Sequence, residues 1–99
     1  MHKLLVLYSP VEDTEAFKEY YVNNHLPLAA KLPGLRAMRY SFDVHAGGRE
    51  SPYFALFEAD FDDADALTAA LGSPEGRAVA ADVPNYAGDV LILDYPVTD

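Results

Sequence analysis

The chain carries an uninterrupted apolar run near each end, Leu4-Leu5-Val6-Leu7 and Val90-Leu91-Ile92-Leu93, and a fold that leaves either in water is not acceptable. Both are bounded at strand length. Ser9-Pro10 closes the first, read as a strand from Lys3 to Tyr8, and Asp82-Val83-Pro84-Asn85 precedes the second, read as Ala87 to Tyr95. Two further strands lie between them. Leu35 to His45 alternates Met38, Tyr40, Phe42 and Val44 against Arg39, Ser41 and Asp43, and Tyr53 to Phe61 returns after the turn formers Ala46 to Pro52.

Two helical patterns separate the strands. Asp13 or Thr14 caps the first, whose apolar stripe is Phe17, Tyr20, Tyr21, Leu28 and Leu32. Asn24-His25-Leu26-Pro27 interrupts it: the proline has no N–H for the carbonyl of Asn23 and pushes Leu26 away from α geometry, so a kink or pause is expected there. Pro33-Gly34 ends this helix. A second helical region starts at Asp62 or Asp63, runs through Leu71, and restarts at Ser73-Pro74-Glu75 with a cap, a first-turn proline and an acid.

The order strand, helix, strand, strand, helix, strand predicts an α+β fold: a ferredoxin-like split βαβ sandwich in which helices cover one face of a four-stranded antiparallel sheet. In that topology the first and third strands are central and the last lies at an edge. An edge strand as apolar as Val90-Leu91-Ile92-Leu93 and a bare sheet face both call for a covering partner, and a second copy of the chain supplies it. Residues 1–99 are expected to form a single domain, since 99 residues leave no room for a second core.

Seven basic against sixteen acidic residues give a formal charge of -9. With no basic stripe, nucleic acid and anionic membranes are excluded as partners. The absence of cysteine removes disulfides, thiolate nucleophiles and cysteine metal sites. The N-terminal apolar run is too short for a signal or membrane segment, so a cytoplasmic location is expected. No metal site is expected either. His2 at the start of the first strand and His45 at the end of the second fall at opposite ends of the sheet, and His25 lies on a helix. Gly47-Gly48 reads as a hairpin turn, and Asp62, Asp63 and Asp65 as a cap with a favourable helix-dipole interaction.

His25 follows Tyr21 by four residues and Phe17 by eight, which places it on the inward stripe. It is either a core histidine bonded to a carbonyl freed near Pro27, or an acid/base catalyst kept neutral by an apolar pocket. Seven tyrosines accompany it: Tyr8, Tyr20, Tyr21, Tyr40, Tyr53, Tyr86 and Tyr95. By register, Tyr21 and Tyr40 are expected to face the same gap and offer a phenol to a substrate oxygen.

Tyr20-Tyr21-Val22-Asn23-Asn24-His25-Leu26-Pro27-Leu28-Ala29, followed by Lys31-Leu32-Pro33-Gly34-Leu35, resembles the EthD family; Ser73-Pro74-Glu75-Gly76 adds to the match. The resemblance implies a dimeric α+β barrel, in agreement with the bare-sheet reasoning. It extends to muconolactone isomerases and to fungal polyketide dehydratases and decarboxylases, in which a helix histidine at the position of His25 moves protons, and to quinone-forming monooxygenases. Haem is not expected, because haem-binding relatives take an axial histidine from a later segment and none follows His45. No cofactor is expected. The resulting reading is a cofactor-independent proton-transfer enzyme of isomerase, dehydratase or decarboxylase type, acting on a small hydrophobic cyclic or aromatic molecule through His25, Tyr40 and Tyr21. A non-catalytic binding or accessory protein of an oxidoreductase system, or a cofactor-free monooxygenase, is the alternative.

Overall fold

Three side-chain oxygens start the helices. Asp13, Asp63 and Ser73 accept hydrogen bonds from the backbone N–H groups of Ala16, Ala66 and Gly76 at 3.0, 2.8 and 3.1 Å, satisfying donors that a helix start leaves open. In the computed structural model, which describes residues 1–98, the chain then runs β1 (His2–Tyr8), α1 (Thr14–Tyr20), a π-helical turn (Tyr21–His25), α2 (Leu26–Ala29), β2 (Ala37–Ser41), β3 (Ala55–Phe61), α3 (Ala64–Gly72), α4 (Pro74–Asp82), a 3-10 turn (Val83–Asn85) and β4 (Val90–Pro96).

The strands form one sheet in the order β2-β3-β1-β4, antiparallel throughout. β1 and β3 are therefore central and β4 is an edge, as the element order predicts. Register alternation sorts the side chains. Leu4, Tyr8, Ala55, Phe57, Ala59 and Phe61 are buried towards the helices, where Phe17, Tyr21, Leu26, Ala29, Leu32, Leu67 and Ala70 complete the core. The opposite face divides in two. Leu5 pairs with Leu93 and Leu7 with Leu56 and Leu91, which makes an apolar half; Lys3 sits between Asp60 and Tyr95, and its ammonium donates to Glu58 at 2.8 Å, which makes a charged half. Leu91 and Leu93 are exposed on this face, as bare-sheet reasoning requires.

Four expectations are corrected. The second strand stops at Ser41 rather than His45, and the third starts at Ala55 rather than Tyr53. Serine hydroxyls divert the backbone: that of Ser41 accepts from the N–H of Asp43, and that of Ser51 both accepts from the N–H and donates to the carbonyl of Tyr53. His45 consequently lies in the exposed loop beside Asp43. The last strand begins at Val90, not Ala87. Finally, Leu26 keeps α geometry at φ -59° and ψ -41° in spite of Pro27, because the helix absorbs the proline by widening one turn instead of bending Leu26 out.

Candidate functional site

The widened turn is the local origin of the site. The N–H of Leu26 donates to the carbonyl of Tyr21, five residues back rather than four, and Pro27 follows with no N–H to offer. The helix turns Tyr21 and His25 into the core, 1% and 4% exposed, while Val22, Asn23 and Asn24 remain outside. Their rings stack with centroids 5.2 Å apart and an interplanar angle of 28°. Tyr86 packs against the imidazole from the C-terminal side at 4.7 Å.

His25 is not bonded to a carbonyl freed by Pro27. Its Nδ1 lies 2.9 Å from Oδ2 of Asp82, the last residue of α4. Asp82 is itself enclosed. The hydroxyl of Tyr20 donates to Oδ1 at 2.6 Å and the side-chain amide of Asn85 to the same oxygen at 3.1 Å. Burial pushes the Asp82 carboxyl up, but hydrogen bonds from Tyr20, His25 and Asn85 outweigh it and hold the group below its ordinary range. Burial lowers His25 below the usual imidazole value, against the opposing hydrogen bond and charge of Asp82. The pair is thus a carboxylate facing a neutral ring, which assigns the proton to Nδ1 and leaves the lone pair on Nε2. Nε2 makes no hydrogen bond among the described residues.

That ring borders a cavity of about 220 Å³ between helices and sheet. Leu4, Val6 and Ile92 of β1 and β4 form one wall; Gly76, Val79 and Ala80 of α4 form the other. The wall is hydrocarbon except for His25 and Tyr8. The Tyr8 hydroxyl lies 3.2 Å from that of Tyr21 and 3.1 Å from that of Tyr86, and burial raises all three phenols, so they stay protonated at neutral pH.

Tyr21 and Tyr40 do not border this cavity. Tyr21 presents its ring to His25 and its hydroxyl to Tyr8, whereas Tyr40 sits on the β2 edge, 44% exposed, with its ring 6.0 Å from that of Tyr21. The cavity lies under the β1 and β4 half of the sheet, and β2 is at the other edge. Among the described residues, no group of three or more side chains is arranged to hold a metal ion.

Asp82, Tyr20 and Asn85 carry no site signal in the sequence patterning, where Asp82-Val83-Pro84-Asn85 reads as a helix stop. One signal was present. An aspartate in the last turn of a helix opposes the negative end of the helix dipole, and such a placement points to a tertiary partner.

A model of the EthD domain matches residues 9–89, the segment that contains the His25 helix and Asp82. The chain belongs to the EthD family. An uncharacterised 11.0 kDa protein from the thcB-thcC intergenic region of Rhodococcus erythropolis is 31% identical over 94 residues, covering 94% of this EthD chain and 91% of the relative. The crystal structure of an EthD family protein from Bacillus halodurans C-125 superposes with a TM-score of 0.92 at 35% identity, covering 99% of each chain. A dimeric ferredoxin-like protein of unknown function from Jannaschia sp. CCS1 shares the fold at 22% identity, with a TM-score of 0.72 over 97% of this chain and 98% of that one. The chain thus shares the ferredoxin-like fold, with its four-stranded antiparallel sheet. Among the described residues, no helix is long and apolar enough to cross a membrane.

Proposed function

We propose that this EthD protein is a cofactor-independent enzyme that moves a proton on a small hydrophobic cyclic or aromatic molecule bound in the cavity, with His25 as the base and Asp82 as its positioning residue. The observation that carries the reading is the polarity of one ring: Nδ1 is committed to a buried carboxylate, while Nε2 is uncommitted on a ring that borders hydrocarbon space. A substrate C–H or O–H gives its proton to Nε2 and keeps the bonding electron pair as an enolate or phenolate. Asp82 stabilises the imidazolium formed. That imidazolium then returns the proton to another atom of the ligand, which isomerises it, or to a departing hydroxyl, which dehydrates it. Tyr21 and Tyr40 act in this reading on the imidazole, Tyr21 by stacking on its face and Tyr40 by packing on Tyr21. Two copies associate through the bare sheet faces.

Incubating monocyclic enols and lactones with the protein in deuterium oxide tests the reading by NMR. Solvent deuterium should enter the ligand, and His25→Ala or His25→Gln should slow entry by about 100-fold or more with the fold retained. Equal exchange rates in a folded His25 variant would falsify the assignment. A ligand that binds and emerges unlabelled would instead support a binding or accessory role.

A further inference from the structure

We infer that the ligand taken by this cavity is uncharged and about one ring in size, a neutral hydroxyl- or carbonyl-bearing compound rather than a carboxylate or phosphate ester. The inference deepens the proposed function and rests on that reading of the cavity. Among the described residues no lysine or arginine borders the space; the walls are aliphatic and aromatic carbon from β1, β4 and α4, and the polar side chains there are His25 and Tyr8. A carboxylate entering such a site leaves water with no cation to receive it.

The charge lying behind the ring has the wrong sign for an anion as well. Asp82 stands on the far side of the imidazole, bonded to Nδ1 and held ionised by Tyr20 and Asn85. The charge bonded to that ring is therefore negative, and the chain as a whole carries -9. The basic side chains on the sheet, Lys3 and Arg39, lie on the opposite face, where they meet Glu58 and Asp60. Sheet thickness separates them from the cavity.

Volume sets the size. A dry engineered cavity of about 150 Å³ takes benzene; this one, at about 220 Å³, has room for one ring with a short alkyl arm. The exposed side chains of Leu71 and Ile92 at its border let such an arm reach solvent. A neutral substrate also narrows the chemistry: with no place for a carboxylate, isomerisation and dehydration remain and decarboxylation of an acid does not.

Calorimetric titration with 4-propylphenol, methyl 4-propylbenzoate and 4-propylbenzoate at neutral pH tests this, on the wild-type protein and on Ile92→Lys and Val79→Trp, each checked for fold by circular dichroism. The two neutral probes should bind at least about 10-fold more tightly than the benzoate. Ile92→Lys, which places an ammonium at the exposed border, should narrow that gap, and Val79→Trp, which fills the space, should weaken both neutral probes. Benzoate binding within 10-fold of the phenol, and weakened by Val79→Trp, overturns the inference while leaving the cavity as a ligand site. No binding by any probe at millimolar concentration overturns both. Should Val79→Trp not fold, competition between phenol and benzoate on the wild type gives the same decision.

Discussion

Nδ1 of His25 and Oδ2 of Asp82 stand 2.9 Å apart although 57 residues separate them in the chain, and both side chains are more than nine-tenths buried. Neither environment alone makes a base. The apolar surroundings keep the ring neutral, and the carboxylate gives the proton taken up at Nε2 a stabilised state to occupy.

Replacing Asp82 tests that division of labour. Asp82→Asn should lower the rate of deuterium entry about 100-fold with little change in ligand affinity, because the amide cannot stabilise an imidazolium. The His25 pKa should fall further, since the carboxylate that raises it is gone; NMR titration of the ring protons measures this. Asp82→Ala should also cost roughly 1–3 kcal/mol of stability for each buried donor left unpaired, read from the urea midpoint. An unchanged His25 titration in Asp82→Asn would remove Asp82 from the mechanism.

Acidification should destabilise the fold through His25. Its folded pKa lies below the ordinary value of 6.5, so between the two values the unfolded chain holds more protons than the folded one and stability rises with pH. This contribution is complete above about pH 6.5 and is lost as pH falls through the lower folded value. The Asp82 carboxyl, also lowered, contributes above its ordinary 3.8 and is lost further down. Urea midpoints from about pH 5 to about pH 8 should climb less steeply in His25→Gln than in the wild type; parallel curves would contradict the neutral-ring assignment.

Gly76 is required by close packing. A Cβ there would press on the carbonyl oxygen of Ala70 and lie 2.6 Å from that of Leu71, both backbone atoms at the end of α3 that cannot swing aside. Gly76→Ala should destabilise by about 1–3 kcal/mol in urea titration, through displacement of α4 from α3. Since Gly76 also borders the cavity, binding of 4-propylphenol should weaken with it. Wild-type stability in this variant would show that the helix junction yields more easily than its geometry implies.

The bare sheet face should hold the second copy. Leu93 is 42% exposed at the centre of the apolar half, beside Leu5. Leu93→Lys should convert a dimer to a monomer in sedimentation velocity, since an unpaired ammonium cannot be buried against leucines. A dimer that survives the substitution places the interface elsewhere.

Most of the fold was legible because its signals are local. The caps Asp13, Asp63 and Ser73, the Pro33-Gly34 stop and the period-two alternation of β2 act within a few residues, as caps, breakers and pleats do. Strand ends were less legible: Ser41 and Ser51 end the ladder through hydroxyl bonds that compete with strand pairing only when the loop closes.

The site divides along the same line. Sequence alone determined that His25 faces inward and that Pro27 disturbs its helix, because side-chain direction along a helix and the missing proline N–H are properties of adjacent residues. Tertiary structure alone decided which group meets the imidazole, which phenol borders the cavity, and that no lysine or arginine among the described residues lines it. Asp82 meets His25, and Tyr8 borders the same cavity, through the packing of α4 and β1, and distances between segments far apart in the chain are set by how whole elements dock, which no local pattern encodes.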